Sequence, residues 1–194
     1  MKSDPASGPD TDDVRERLGA RTIVLVGMMG CGKSSVGRLL AARLKLPFVD
    51  ADTEIELAAN LTIQEIFARH GETYFRAGEH RVIARLLGQG PQVLATGGGA
   101  FMNPATRELI AQSGISVWLK ADFETLFERV SRRTNRPLLQ TPDPAGVLKR
   151  LIAQRDPVYA KADVCVDSRN VPHEQVVSEV VAAVDGHMRQ IDER

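Results

Sequence analysis

The stretch TIVLVGMMGCGKSS, residues 22–35, joins an apolar run to a glycine-rich loop and the start of a helical pattern. The run TIVLVG is too short for a helix, whereas the apolar residues of SSVGRLLAARL, residues 34–44, recur at helical spacing. Residues 27–34 match G-x-x-x-x-G-K-[ST] at every fixed position. This order of strand, loop and helix predicts a phosphate-binding loop.

The chemistry of such a loop depends on its backbone and two side chains. Glycines let backbone N–H groups turn toward phosphate oxygens, Lys33 reaches the terminal phosphates, and the Ser34 hydroxyl binds Mg²⁺. Cys31 occupies a variable position, where its thiol is either activated by the lysine and the helix end or simply a small tolerated side chain; we favour the second. A GTPase switch, a motor and a small-molecule kinase all remain open, although the sequence has no N-K-x-D guanine-reading segment.

Strand-like and helical segments alternate along the rest of the chain. Four further short apolar runs are LPFVDAD (46–52), PQVLATGGG (91–99), ISVWLKA (115–121) and ADVCVDS (162–168). Such alternation predicts an α/β fold, a parallel sheet with helices on both faces, with ligands at the carboxyl ends of the strands. We expect one domain over residues 21–194. Residues 1–20, rich in Pro, Gly, Ser and Asp, predict a mobile tail with some helical character near residues 14–18.

Charge and cysteine content limit the classes of partner. Lys plus Arg and Asp plus Glu balance at 25 each, so no net positive field draws the protein to nucleic acid or to an anionic membrane. Cys31 and Cys165 lack metal-ligand spacing, and we find neither a signal peptide nor a spanning apolar run. These features favour a cytoplasmic protein without nucleic-acid or membrane partners.

Two segments are candidates for binding the acceptor of a phosphoryl group. Asp50 and Asp52 are two residues apart at the end of an extended run, so they either serve a metal and a hydroxyl group or are solvated turn residues, with Asp52 capping the next helix. The glycines 97–99 follow another strand and either let a ligand approach the backbone closely or form a flexible connector. The position at strand ends favours a functional role for the glycines.

Three separated arginines suit a small anionic substrate, because a planar guanidinium grips carboxylate or phosphate in a bidentate manner. Arg76 lies on a predicted helix with Glu79 three residues on, where the acid can hold the guanidinium in position. Arg136 lies in the irregular TNRPLL segment, which we interpret as a lid, and Arg155 lies at the end of a predicted helix. Taken singly, each arginine is more often an ordinary surface residue than a functional one.

The chain resembles the shikimate kinase family in the order and spacing of six motifs. They are GMMGCGKSSVGRLLA (27–41), FVDADTEIE (48–56), FRAGEHRVI (75–83), VLATGGGAF (93–101), NRPLL (135–139) and QRDPVYAKAD (154–163). The resemblance implies a P-loop fold similar to nucleoside monophosphate kinases: a three-layer sandwich around a five-stranded parallel sheet of order 2-3-1-4-5. It also implies a substrate-binding segment over about residues 51–85 and a lid over about residues 133–146.

The resemblance implies ATP and Mg²⁺ as cofactors. ATP phosphates are expected at Gly30, Cys31, Gly32, Lys33, Ser34 and Ser35. Ser34 is expected to bind Mg²⁺ directly and Asp50 to assist through water, while Arg136 descends with the lid onto the phosphates. Adenine is expected between the region of Arg132 and Arg133 and the backbone near residues 170–171.

The resemblance further implies shikimate as the acceptor. Asp52 is expected to bind the ring hydroxyls, Arg76 and Arg155 the carboxylate, and Gly98 to donate from its backbone. The expected reaction is ATP-dependent phosphorylation of the 3-hydroxyl, with Lys33, Asp52 and Arg136 as catalytic residues and a monomer as the active unit. The alternatives are another small-metabolite kinase, resembling gluconate kinase, and a non-catalytic nucleotide-binding regulator.

Overall fold

A single parallel sheet organises the protein. The computed structural model describes residues 9–132 and 141–193. Its five strands are β1 (Thr22–Val26), β2 (Phe48–Asp50), β3 (Val93–Ala95), β4 (Gly114–Lys120) and β5 (Val164–Asp167). They lie in the order β2-β3-β1-β4-β5, and every pairing is parallel, which confirms the predicted fold class and strand order.

The central strand β1 explains why the sheet needs helices on both sides. All of its residues are buried. On its two edges β1 pairs with β3, through Ile23 and Val93, and with β4, through Ile23 and Ile115, so helices must cover its two faces. A strand covered on both faces reads as a continuous apolar run rather than an alternating one. This is the pattern of TIVLV, residues 22–26.

The helices divide between the two faces. They are α1 (Thr11–Leu18), α2 (Lys33–Leu44), α3 (Ala51–Ala59), α4 (Ile63–Leu87), α5 (Pro104–Ser113), α6 (Phe123–Ser131), α7 (Pro144–Tyr159) and α8 (His173–Asp192). The connection from β1 to β2 moves across the sheet in one direction, and the later connections move in the other direction. Because such connections are right-handed, α2 lies on one face of the sheet and α4 and α5 lie on the other face. Accordingly α2 packs on α8, and α4 packs on α5. Within residues 9–132 and 141–193, no helix combines the length and apolar character that a bilayer crossing requires.

The segment between β2 and β3 has a small core of its own. Ile55 of α3 packs with Ile66 and Phe75 of α4, apart from the main core. Thr62 starts α4 with a capping box to Glu65, and α4 kinks at Gly71, whose φ is 78°. The predicted substrate-binding segment, residues 51–85, therefore corresponds to a semi-independent helical unit.

The helical character predicted near residues 14–18 is confirmed, but the prediction that residues 11–18 belong to an unpacked tail is wrong. They form α1, in which Val14 and Leu18 are fully buried against the main core. Arg17 Nη1 donates to Asp185 Oδ1 of α8 at 2.5 Å, and Asp185 is itself buried. The helix is short, but its two apolar residues share one face that packs on α2 and α8. Residues 1–8 lie outside the described residues.

The predicted lid, residues 133–146, is too long at its carboxyl end. Residues 144–146 are the first turn of α7, with Pro144 in that turn and Asp143 as N-cap, accepting from the Gly146 N–H at 2.8 Å. Proline suits the first turn of a helix because the N–H it lacks would have no partner there. Residues 133–140 lie outside the described residues.

We predict that Leu18→Ala destabilises the protein, because the substitution empties volume in a core that Leu18 fills with 1% exposure. The free energy of unfolding should fall by about 2 to 5 kcal/mol, measured by urea denaturation. Leu57→Ala is the matched control, since Leu57 is 70% exposed. Equal stability of the two variants would show that α1 does not belong to the core.

Candidate active site

Three loops meet at the carboxyl ends of β1, β2 and β3 and enclose a cavity of about 500 Å³. The structure brings eight of the predicted site residues to its lining: Gly30, Gly32, Lys33, Ser34, Ser35, Asp50, Asp52 and Gly98. The carboxyl edge of a parallel sheet is where such folds bind ligands. The cavity therefore lies where the sequence predicts the site.

The loop after β1 presents the amino end of α2 to this cavity. Gly32 precedes the helix in the left-handed region, with φ of 95°, and no side chain caps the first turn. The free N–H groups and the helix dipole make this end suited to an anion. Lys33 lies over the same loop, where its Nζ donates to the carbonyl oxygens of Gly27 at 2.7 Å and Met28 at 2.9 Å.

Cys31 does not line the cavity. Its side chain is fully buried, and its Sγ lies 3.6 Å from Lys33 Nζ. Its carbonyl oxygen accepts from the Ser168 hydroxyl at 2.7 Å, which attaches the loop to the end of β5. The structure therefore favours the second of the two sequence alternatives, a small side chain that fits the loop.

Ser34 and Asp50 form a pair of oxygen ligands at the mouth of the loop. Ser34 Oγ donates to Asp50 Oδ2 at 2.8 Å. Asp50 Oδ1 accepts from the Asp52 N–H at 3.1 Å, so Asp50, rather than Asp52, caps α3. No group of three or more His, Cys, Asp or Glu residues gathers to hold a metal in the described part of the chain. Mg²⁺ commonly takes one or two protein oxygens and completes its shell with phosphates and water, so this pair fits it.

The acidic side of the cavity lies against Gly97. A Cβ atom added to Gly97 would lie 2.8 Å from Asp52 Oδ1 and 2.9 Å from Glu79 Oε1. Two carboxylates from α3 and α4 thus converge on one point of the backbone. Any residue larger than glycine at position 97 would push them away.

Two predicted arginines lie against the next two glycines, although neither arginine lines the cavity itself. A Cβ atom on Gly98 would lie 3.5 Å from Arg155 Nη1, and one on Gly99 would lie 2.5 Å from both Nη atoms of Arg76. Arg155 Nη1 also donates to the Gly98 carbonyl at 3.2 Å. The predicted acceptor-binding residues therefore converge on the three glycines, although they come from three different helices.

Glu79 holds Arg76 in this position. Arg76 Nη1 donates to Glu79 Oε2 at 2.7 Å, and Glu79 is only 3% exposed. Glu79 Oε1 is buried and has no hydrogen-bond partner among the described residues. Burial is the largest influence on the pKa of the Glu79 carboxyl, and it raises that pKa. The hydrogen bond and the charge of Arg76 lower the pKa, whereas the charge of Asp52 raises it. The net effect is a raised pKa.

Comparison with known proteins identifies the family. The shikimate kinase family model matches residues 29–185. The shikimate kinase of Bradyrhizobium diazoefficiens is 59% identical over 184 residues, which cover 95% of this chain and 89% of that protein. A shikimate kinase structure from Acinetobacter baumannii in complex with shikimate has a TM-score of 0.84 and 36% identity, covering 89% of this chain and 97% of that one. The chain belongs to the shikimate kinase family.

Family membership confirms the predicted reaction class. Shikimate kinases are phosphotransferases that act on an alcohol group and use ATP with Mg²⁺. A gluconokinase structure from Sinorhizobium meliloti is also similar, with a TM-score of 0.59, but its 22% identity shows a shared fold alone.

Arg129 in α6 is a cavity residue that was not predicted from the sequence. Arg129 lines the cavity, where it donates to the Ser168 hydroxyl at 3.0 Å and to the Arg169 carbonyl at 2.7 Å. Its Nη1 also lies 3.5 Å from the Gly30 carbonyl. The sequence signal was its position in the last turn of a helix ahead of the predicted lid. The nearby Arg132, predicted near adenine, lines the cavity too.

Arg133, predicted near adenine, and Arg136, predicted for the lid, lie outside the described residues. Their roles therefore stay predictions.

Proposed function

We propose that this shikimate kinase transfers the terminal phosphoryl group of ATP to the 3-hydroxyl of shikimate, giving 3-phosphoshikimate and ADP in aromatic amino acid biosynthesis. The observation that carries the proposal is the convergence of Asp52, Arg76 and Arg155 on three consecutive glycines. A small ring that carries both hydroxyls and a carboxylate requires such opposite charges close together on an accessible backbone.

The donor half of the reaction belongs to the loop after β1. The amino end of α2 and the residues Gly30–Ser35 would bind the phosphates of ATP. Lys33 would exchange its bonds to the Gly27 and Met28 carbonyls for bonds to phosphate oxygens. Ser34 and Asp50, already 2.8 Å apart, would hold Mg²⁺, Asp50 through water. When bound, Mg²⁺ supplies neutralisation of phosphate charge.

The acceptor half belongs to the residues around the three glycines. Arg76 and Arg155 would bind the carboxylate, and the Gly98 N–H would donate to the substrate. Asp52 would accept the proton of the reacting hydroxyl group or orient this hydroxyl group for attack. Phosphoryl transfer depends mainly on the alignment of the reactants and on neutralisation of charge, so these are the tasks of the protein side chains. Arg136, outside the described residues, would add positive charge over the phosphates.

We also infer that one chain suffices for activity and that the enzyme works in the cytoplasm. All described residues proposed for the two halves belong to one chain and to one cavity or its wall. Cys31 and Cys165 are both free thiols, which suits a reducing compartment.

The test of the function is an ADP-release assay with three acceptors side by side. We expect ATP consumption with shikimate and at most trace rates with gluconate or nucleoside monophosphates. Lys33→Met is the control for contaminating kinases and should abolish the signal. Preference for gluconate would favour the fold-related alternative, and ATP binding without consumption would favour a non-catalytic regulator.

We predict that Asp52→Asn lowers kcat at least about 100-fold, because it removes the acceptor for the hydroxyl proton. The KM for ATP should change less than about twofold, since Asp52 lies on the acceptor side. Steady-state kinetics with Asp13→Asn, an exposed aspartate of α1, provides the control. Near-normal turnover of Asp52→Asn would exclude a role in proton transfer or alignment.

We predict a pH-dependent KM for shikimate that requires Glu79. The raised pKa means that Glu79 loses its charge, and its hold on Arg76, at a higher pH than an ordinary glutamate. The KM should therefore rise as pH falls from 7 toward about 5. Glu79→Gln should show a raised KM at pH 7 and a flatter profile.

The matched control for this pH profile is Glu72→Gln. Glu72 contacts the same guanidinium at 3.3 Å but is exposed. Its KM should stay within about twofold of the unmodified enzyme. Parallel profiles for Glu79→Gln and the unmodified enzyme would contradict the prediction.

A further inference from the structure

The three glycines are held by different kinds of partner. The Gly97 carbonyl accepts from the Ala100 N–H at 3.1 Å, and the Gly99 carbonyl accepts from the Met102 N–H at 3.0 Å. The Gly98 carbonyl has no backbone donor among the described residues. Its partners are two side chains of α7, the Tyr159 hydroxyl and Arg155 Nη1, the latter at 3.2 Å. The middle peptide of the loop therefore depends on α7 for its orientation.

Tyr159 is held in place by the packing around its ring. It is only 1% exposed, and its ring stacks near Trp118 at 6.0 Å and Phe101 at 6.5 Å between centroids. Burial raises the pKa of the phenol above its ordinary value, so the hydroxyl keeps its proton and donates throughout the neutral range. A buried phenol needs a hydrogen-bond acceptor, and the Gly98 carbonyl supplies it.

The two donors have different tasks once the acceptor substrate is present. Arg155, four residues before Tyr159 on the same helix face, is proposed to bind the substrate carboxylate, which draws its guanidinium toward the ligand. The Tyr159 hydroxyl donates to the Gly98 carbonyl, and it also contacts Met28 Sδ, at 3.9 Å, and the Arg155 side chain. The bond from Tyr159 to Gly98 does not pass through the Arg155 guanidinium. Tyr159 can therefore keep its bond to Gly98 while Arg155 is engaged.

From these contacts we infer that Tyr159 is a positioning residue for the acceptor site. Its hydroxyl holds the peptide between Gly98 and Gly99 through the Gly98 carbonyl. This bond restricts rotation at Gly98, whose N–H is proposed to meet the substrate. Glycine has more backbone freedom than any other residue, so an unheld peptide here would sample many orientations before binding. Tyr159 removes that freedom before the substrate arrives, which strengthens acceptor binding. The inference rests on the proposed function for the identity of the acceptor.

The test is Tyr159→Phe, which keeps the ring and its packing and removes only the hydroxyl. The KM for shikimate should rise roughly tenfold, about the worth of one hydrogen bond, while the KM for ATP stays within about twofold. Leu148→Val is the control, because Leu148 is a fully buried residue of the same helix. It should lower the melting temperature without changing either KM. An unchanged shikimate KM in Tyr159→Phe would overturn the inference.

A second measurement separates this inference from the proposed function. Amide hydrogen exchange of residues 96–100 in the free enzyme should become severalfold faster in Tyr159→Phe and stay unchanged in Leu148→Val. Unchanged exchange in Tyr159→Phe overturns the positioning role, whatever the substrate is. An unmodified enzyme that fails to phosphorylate shikimate overturns the proposed function, and the exchange measurement then still decides whether Tyr159 holds the loop.

Discussion

The cavity depends on having glycine, which has no side chain, at positions 97, 98 and 99. The Arg76 guanidinium nitrogens lie 2.5 Å from the position that a Cβ of Gly99 would take, and oxygens of Asp52 and Glu79 lie 2.8 and 2.9 Å from the corresponding position on Gly97. Charged groups from separate helices can share this small space because the backbone between them occupies so little of it. Three consecutive glycines also give the backbone more conformational freedom, and hydrogen bonds from neighbouring groups must restrict it.

Hydrogen bonds within the protein satisfy most of the charged groups around the cavity. Lys33 bonds to carbonyls of its own loop, and Arg129 bonds to Ser168 and the Arg169 backbone. These partners keep the two cations near the amino end of α2 without burying an unpaired charge. Glu79 is the exception, since its buried Oε1 has no described partner, and desolvation rather than ion pairing dominates its pKa.

Sequence reasoning succeeded where local pattern carries the information. The loop at residues 27–34 follows from the spacing of its motif, and the parallel sheet follows from the alternation of strands and helices. The strand order and the position of Gly98 follow from the family resemblance. It failed where a role depends on a distant partner. Val14 and Leu18 look like two isolated apolar residues until α8 covers them, and Arg17 finds Asp185 168 positions away. Likewise, nothing near Tyr159 in sequence reveals that its hydroxyl reaches Gly98, 61 positions earlier.

The packing of α1 on α8 has a practical consequence for handling the protein. The carboxyl end of α1 leads directly into β1, and Arg17 also approaches Asp192, at 3.9 Å, near the end of α8. Both helix ends thus lie at the edge of the sheet opposite the cavity. An attachment made at α1 or at the carboxyl end of α8 would therefore leave the cavity facing solution.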